Sequence, residues 1–233
     1  MPNNHLKLHT MEVQESIALP EYVESTNLKP DCTLQQITSL CEEAITSGFY
    51  GVCVSPYYVQ SAKKILKKSP VKIITVVGFP LGYSTTSAKV EETKKAIISG
   101  ADEVDMVINI AALKSGDLQT VQNDIQAVVT ACHLQNKVCK VILETAYLTE
   151  AEIKQVCRMC VDADTDFVKT STGYANQGAT VESVQLLHTI LPKKIKIKAA
   201  GGIKSIEQAL ELIEAGAARI GTSSGHVFVT AHE

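Results

Sequence analysis

The sequence predicts a single α/β domain, a (β/α)₈ TIM barrel, and three observations support this fold class. Short runs of β-branched and aliphatic residues recur along the chain, as expected for buried strands. Amphipathic segments with helical spacing separate these runs. Three of the helical segments end at a glycine directly before the next strand, which is typical of a helix C-cap. Because strands that alternate with helices pair in parallel, eight such units favour a closed barrel.

The eight predicted strands follow one another at intervals of roughly 20 to 35 residues. They cover residues 21–26, 52–54, 73–77, 104–108, 138–143, 167–168, 195–197 and 219–220. A doubly wound sheet is the alternative, but it requires a glycine-rich nucleotide-binding turn after the first strand, which this sequence lacks. We therefore assign residues 1–233 to one barrel domain that begins with a short polar or helical extension over about residues 1–20.

The helices between these strands have recognisable starts and ends. Thr149 precedes Glu152 at capping-box spacing, and Thr180 opens a helix with Glu182 in its first turn. The three C-cap glycines are Gly48, Gly100 and Gly216. These signals predict the same kind of helix-to-strand connection at several places in the chain.

The amino-acid composition limits the kinds of molecule that the protein is expected to bind. Hydrophobic residues make up 45% of the chain, tryptophan is absent and the net charge is -3, which argues against a nucleic-acid-binding protein. Residues 1–10 are polar, and no apolar run approaches the roughly 18 residues that a membrane span requires. With seven cysteines and no secretion signal, we expect free thiols and a cytoplasmic location.

Metal ligands are not expected. Cys157 and Cys160 form a CxxC pair, but they lie within a predicted helix and no second pair exists, so buried thiols are a better explanation than zinc or redox chemistry. The histidines at 133, 188 and 226 lack metal-ligand spacing.

Two lysines stand at the ends of late predicted strands. Lys169 closes an apolar run within residues 166–173, and Lys198 closes a similar run within residues 195–202. A lysine is unexpected in such a position unless it is paired, has its amine in solvent, or is reactive. The arrangement suggests one catalytic amine with a charged neighbour.

Polar and glycine-rich segments also follow the strands where a barrel carries its functional residues. Examples are Asp105 with Asn109, and Glu144 with Thr145. Glycine-rich turns at 171–173, 200–202 and 221–225 follow the last three strands. Free backbone N–H groups and serine hydroxyls in such turns favour a phosphate-binding site.

Six segments together resemble the deoxyribose-phosphate aldolase family, and the resemblance extends over about residues 22–229. They are residues 77–82, 102–109, 143–145, 167–173, 198–202 and 219–225. The resemblance implies a class I aldolase that reversibly cleaves 2-deoxy-D-ribose 5-phosphate to D-glyceraldehyde 3-phosphate and acetaldehyde. It implies small sugar phosphates and aldehydes as partners and no metal or other cofactor, and it leaves a homodimer open.

The same resemblance assigns roles to individual residues. Lys169 matches the Schiff-base lysine, Lys198 the second lysine whose charge helps the first to lose its proton, and Asp105 the proton relay. The residues matching phosphate contacts are Gly173, Gly201, Gly202, Gly221, Ser223 and Ser224. The residues expected around the substrate are Glu24, Asn109, Thr145 and Thr170.

The sequence departs from the family pattern in two places. The first strand carries Glu24-Ser25-Thr26 where the family usually has Asp-His-Thr, and the last residues lack the family's terminal tyrosine. Because Glu24 is one methylene longer than aspartate, we expect the polar packing near the substrate to differ. Without the tyrosine we expect slower proton transfer, or a water in its place. A transaldolase-like enzyme and a non-catalytic sugar-phosphate sensor on the same scaffold remain as alternatives.

Overall fold

The computed structural model describes residues 18–229, which fold as a closed barrel of eight parallel strands. The strands are β1 (Val23–Asn27), β2 (Gly51–Val54), β3 (Lys72–Val77), β4 (Glu103–Val107), β5 (Val138–Ile142), β6 (Phe167–Lys169), β7 (Lys196–Ala200) and β8 (Arg219–Thr222). Each strand pairs with its neighbours in chain order, and β8 pairs with β1 to close the barrel. The predicted fold class is confirmed, with strand boundaries within a few residues of those expected.

Helices cover the outside of the barrel. They are α1 (Leu34–Thr46), α2 (Val59–Leu66), α3 (Thr86–Ser99), α4 (Ile110–Lys114), α5 (Leu118–His133), α6 (Glu150–Asp162), α7 (Val181–Ile190) and α8 (Ile206–Glu214). Short 3₁₀ segments occupy Leu19–Tyr22, Pro56–Tyr58, Thr145–Tyr147 and Gly225–Phe228. No helix within residues 18–229 combines the length and apolar character needed to cross a bilayer.

The predicted caps are confirmed. Thr149 and Glu152 form a complete capping box at the start of α6, and Thr180 caps α7. Gly100 follows α3 with a φ of 113°, a left-handed conformation that favours glycine because other residues clash there. Thr149 and Thr180 thus begin their helices, whereas Gly100 ends α3 where the chain turns back into the barrel.

The main apolar core lies between the barrel and its helices. Alternate strand residues point outward into this core, which includes Val104 and Met106 of β4 as well as Val128 of α5. On α1, Ile37 is buried in this core, whereas Ile45 is 45% exposed.

The interior of the barrel is divided between an apolar side and a charged side. Cys53, Ile74 and Val76 form a small apolar cluster on the β2–β3 side. The rest of the interior holds buried charged side chains from five strands, namely Glu24, Glu103, Asp105, Lys140, Lys169 and Lys198. A barrel interior is normally filled by aliphatic residues, so this concentration of charge marks the candidate site.

The predicted N-terminal extension falls largely outside the described residues. Its last part enters the 3₁₀ segment Leu19–Tyr22, where Leu19 and Pro20 are buried and the Pro20 carbonyl accepts a hydrogen bond of 3.2 Å from the Tyr50 N–H. This contact ties the chain to the N-terminal end of the barrel.

The CxxC thiols lie buried in α6, as the helix assignment predicts. Burial raises the pKa of Cys157 to about 12, which keeps this thiol protonated. Within the part of the chain that the structure describes, no cluster of three His, Cys, Asp or Glu side chains has the geometry to hold a metal ion.

Candidate active site

Lys169 is the last residue of β6 and points into the barrel. Its side chain is 3% exposed, and its amine lies 2.9 Å from Asp105 Oδ2. The same amine lines a cavity of about 470 Å³ that opens at the carboxyl ends of the strands, which we call the barrel-mouth cleft. A buried amine at the edge of an open cleft can contact a bound ligand while it stays largely shielded from solvent.

Lys198 lies opposite Lys169 on the neighbouring strand β7, in direct register. Its amine lies 2.7 Å from the same Asp105 oxygen and also donates to Glu24. Because both amines contact one oxygen, their nitrogens are neighbours within the barrel. The structure thus brings together the two lysines and the aspartate that the sequence selected.

Asp105 connects all three interior lysines. Burial alone would raise the pKa of this carboxyl, but Lys140, Lys169 and Lys198 hold it well below its usual range. Asp105 is therefore a carboxylate at neutral pH. It can hold cations and accept hydrogen bonds, and it lies within reach of the Lys169 amine.

Lys140 belongs to this network, and the sequence analysis missed it. Its amine lies 3.0 Å from Asp105 Oδ1 and 3.5 Å from Glu24, and it also contacts Glu103. The signal was present, since Lys140 interrupts the apolar run of β5 in the same way that Lys169 ends β6. It went unnoticed because no glycine-rich turn follows it.

Three acidic side chains, Glu24, Glu103 and Asp105, face the three interior lysines. Burial opposes the charged form of Lys198, but Asp105 and Glu24 raise its pKa well above the ordinary value, so Lys198 stays a cation. The sequence analysis treated Lys198 as a lone positive charge beside Lys169. In the structure two carboxylates accompany that charge, so its effect on Lys169 is partly offset.

Most of the predicted phosphate residues line the barrel-mouth cleft. They are Gly173, Gly201, Gly202, Gly221 and Ser223. Among the described residues, no protein acceptor pairs with the backbone N–H groups of Gly173, Gly202 and Ser223. Unpaired N–H groups that border one cleft can bind an anion.

Two glycines of these turns, Gly201 and Gly221, lie close to neighbouring atoms. Gly201 has a φ of 88°, and a Cβ there would lie 3.3 Å from the Gly173 Cα. Gly221 has a different role, because a Cβ there would lie 3.0 Å from Lys198 Cε. Gly221 therefore leaves room for the Lys198 side chain as well as bordering the cleft.

The remaining predicted residues lie around the cleft without lining it. The Ser224 N–H donates to Thr222, the Asn109 side chain caps α4, and buried Thr170 bonds both backbone groups of Ala200. Thr145 starts a 3₁₀ turn, and its N–H bonds the Thr170 carbonyl. Their contacts in this structure are with the protein itself.

The cleft also has residues that the sequence analysis did not select. Lys29 and Lys204 bring positive charge to its rim, and both are exposed. Tyr174 forms a wall, since its hydroxyl donates to the Leu28 carbonyl at 2.7 Å and its ring meets Phe79 edge to face. Lysines and tyrosines are common on protein surfaces, so the sequence alone does not show which of them lie at the cleft. Their position becomes apparent only from the fold.

The far end of the charged interior is closed by aromatic residues. The Arg219 guanidinium stacks on Tyr50 at 3.5 Å, and the Tyr50 hydroxyl donates to Glu103. Arg219 Nε also lies 4.0 Å from Glu24. Within the described residues, Arg219 and Tyr50 thus cover the end of the charged cluster that lies away from the barrel-mouth cleft.

Comparison with known proteins gives a consistent result. A family model described as DeoC/LacD family aldolase matches residues 11–228. Deoxyribose-phosphate aldolase of Thermococcus gammatolerans is 53% identical, covering 89% of this chain and 93% of the relative. The enzyme of that name from Brevibacillus brevis is 50% identical, covering 90% of this chain and 94% of the relative. The solved deoxyribose phosphate aldolase of Aeropyrum pernix, described as having a unique tetrameric structure, superimposes with a TM-score of 0.86 at 28% identity, covering 94% of this chain and 96% of that one.

Proposed function

Because the chain belongs to the DeoC/LacD aldolase family, we propose that it is a deoxyribose-phosphate aldolase that works through a Schiff base on Lys169. The observation that carries this proposal is the position of the Lys169 amine, buried beside Asp105 and Lys198 yet bordering the cleft. The substrate is 2-deoxy-D-ribose 5-phosphate, and the products are D-glyceraldehyde 3-phosphate and acetaldehyde.

The chemistry begins with attack of the neutral Lys169 amine on the aldehyde carbon of the open-chain sugar. Loss of water gives a protonated imine. Removal of the proton from the C3 hydroxyl breaks the C2–C3 bond, releases D-glyceraldehyde 3-phosphate and leaves the electron pair in an enamine. Protonation at C2 and hydrolysis of the imine then free acetaldehyde and the amine.

Asp105 is the group proposed to move these protons. It is anionic and lies 2.9 Å from the Lys169 amine, so it can accept the hydroxyl proton directly or through a water and return it to carbon. Lys198 and Lys140 hold this carboxylate in place, and Glu24 in turn contacts Lys198.

The phosphate is proposed to bind at the other side of the cleft. The free N–H groups of Gly173, Gly202 and Ser223 would receive its oxygens, and Lys204 supplies positive charge at the rim. This arrangement fixes the sugar between the phosphate turns and the Lys169 amine. A phosphate-binding site at this position also favours the binding of sugar phosphates over that of free sugars.

The wider biological assignment follows from this reaction. We place the protein in the cytoplasm, in the catabolism of deoxyribose phosphates, with a sugar phosphate and small aldehydes as its partners. Assembly into a homodimer stays a prediction; the relative described as tetrameric shows that other assemblies occur in the family.

The proposed function is tested by the retro-aldol reaction itself. Purified protein with a strong chelator should form D-glyceraldehyde 3-phosphate from 2-deoxy-D-ribose 5-phosphate, detected with a coupled dehydrogenase. Parallel assays with fructose 6-phosphate, with erythrose 4-phosphate present to accept the transferred dihydroxyacetone unit, test the transaldolase-like alternative by the same release of D-glyceraldehyde 3-phosphate. Turnover of those substrates alone would reject our assignment, and absence of turnover with all of them would favour a sensor.

Changing Ser223 to glutamate tests the phosphate site. Because Ser223→Glu adds a negative charge at the proposed phosphate position, we expect KM for 2-deoxyribose 5-phosphate to rise by about tenfold or more. The KM for unphosphorylated 2-deoxyribose should change far less, because only the phosphate meets the new charge. Steady-state kinetics with both substrates measure this, and Ser223→Ala serves as the uncharged control. An equal rise for both substrates would place the phosphate elsewhere.

A further inference from the structure

Glu144, at the end of β5, is a buried carboxylate that the proposed chemistry leaves without a role. It is 2% exposed and adopts a left-handed conformation with a φ of 57° and a ψ of 65°. Within residues 18–229 it has no ion-pair partner, and its Oε1 atom is buried without a hydrogen bond. A buried carboxylate in a strained backbone conformation is costly, so its contacts indicate what it stabilises.

The side-chain hydrogen bonds of Glu144 all go to the segment that follows Lys169. Glu144 Oε2 accepts a hydrogen bond of 3.2 Å from the Thr172 N–H and another from the Thr172 hydroxyl. The Thr172 hydroxyl oxygen in turn accepts from the Tyr174 N–H at 3.0 Å. One carboxylate oxygen therefore fixes Thr172 directly and Tyr174 through Thr172.

The residues on either side of Glu144 hold the same segment by its backbone. The Leu143 N–H donates to the Lys169 carbonyl at 3.0 Å, and the Thr145 N–H donates to the Thr170 carbonyl at 3.0 Å. The left-handed conformation of Glu144 lies between these two bonds. It allows the chain to keep both of them while the carboxylate reaches Thr172.

Within residues 172–174, this pattern leaves one backbone donor free. The N–H groups of Thr172 and Tyr174 are used within the protein, whereas the N–H of Gly173 between them has no protein acceptor among the described residues. All three residues line the barrel-mouth cleft. The contacts of Glu144 thus hold the turn in the form that presents the Gly173 N–H to the cleft.

We propose that Glu144 is a positioning residue that shapes the Lys169–Gly173 turn for phosphate, by holding Thr172 and Tyr174 on both sides of the free Gly173 N–H. It acts through the turn and does not itself touch substrate. The inference extends the proposed function, because it names a residue that sets affinity for the phosphate group of the substrate.

Glu144→Gly is the direct test, since glycine tolerates the left-handed backbone and removes the whole side chain, including the carboxylate. Thr172→Val removes the hydroxyl that links Glu144 to Tyr174, and Thr172→Ser keeps that hydroxyl. Glu144→Gly and Thr172→Val should each raise KM for 2-deoxyribose 5-phosphate by about tenfold, and KM for unphosphorylated 2-deoxyribose by less than about twofold. Thr172→Ser should restore most of the affinity for the phosphorylated substrate.

Binding of inorganic phosphate, measured by calorimetry, supplies a readout that needs no turnover. We expect about tenfold weaker binding in Glu144→Gly and Thr172→Val than in the unchanged protein. Equal phosphate affinity in all proteins, or equal KM increases for both sugars, would overturn the inference. If the unchanged protein fails to cleave the sugar phosphate, the proposed function fails, while the phosphate affinities still decide the role of Glu144.

Discussion

Lys169→Met should abolish aldol cleavage, with kcat/KM falling by at least about 10⁴-fold, because no other group replaces a lost nucleophile. Methionine keeps the apolar stem of the side chain. Asp105 keeps its contacts with Lys140 and Lys198, so the barrel should still fold. The assay is formation of D-glyceraldehyde 3-phosphate, with circular dichroism to check folding. Lys154→Met, on the exposed surface of α6, is the matched control and should retain full activity.

A chemical label should identify the same residue in the unchanged protein. Acetaldehyde followed by borohydride should leave an ethyl group on Lys169, located by mass spectrometry of peptides. Lys169→Met should take up no such label at the site. A label found on Lys198 instead would reverse the roles of the two lysines.

Asp105→Asn should damage both activity and stability. The change removes the proposed proton carrier, which is expected to lower kcat by about 10²- to 10⁴-fold. It also leaves Lys140, Lys169 and Lys198 without the carboxylate that they share, and breaking such a buried network costs about 3–5 kcal/mol of the free energy of unfolding. Kinetics and urea unfolding at neutral pH measure the two effects.

The pH dependence of this loss has a definite sign. The pKa of Asp105 is lowered in the folded protein, so its carboxylate stabilises the fold above its ordinary pKa of about 4 and ceases to do so as pH falls through the folded value. The difference in unfolding free energy between the unchanged protein and Asp105→Asn should therefore be largest near neutral pH and shrink below about pH 4. A difference that stays constant would contradict the electrostatic account. Asp162→Asn, at the exposed end of α6, provides the control.

The fold was predictable because its signals are local. Periodic apolar runs, the capping box at Thr149 and C-cap glycines such as Gly100 each depend on residues close in sequence. Lys169 was predictable for the same reason, since the strand end and the glycine-rich turn adjoin it. Lys140 and Glu103 were missed because their meaning comes from pairing between β4 and β5, which the sequence of either strand does not reveal.

The consequence of having Glu24 in the first strand also becomes apparent only in the structure. The sequence raised doubt about Glu24, which is one methylene longer than the aspartate usual in the family. Glu24 reaches Lys198 with one oxygen and lies 3.5 Å from Lys140 with the other. The longer side chain therefore spans two lysines.

The distribution of the interior charges along the chain has a consequence for how the barrel assembles. Glu24, Glu103 and Asp105 come from β1 and β4, whereas Lys140, Lys169 and Lys198 come from β5, β6 and β7. A folding intermediate that contained strands β1–β4 alone would gather three negative charges, and one that contained β5–β8 would gather positive charges only. Each half would repel itself and attract the other, so we expect the two halves to close together in one cooperative step rather than as separate stable units.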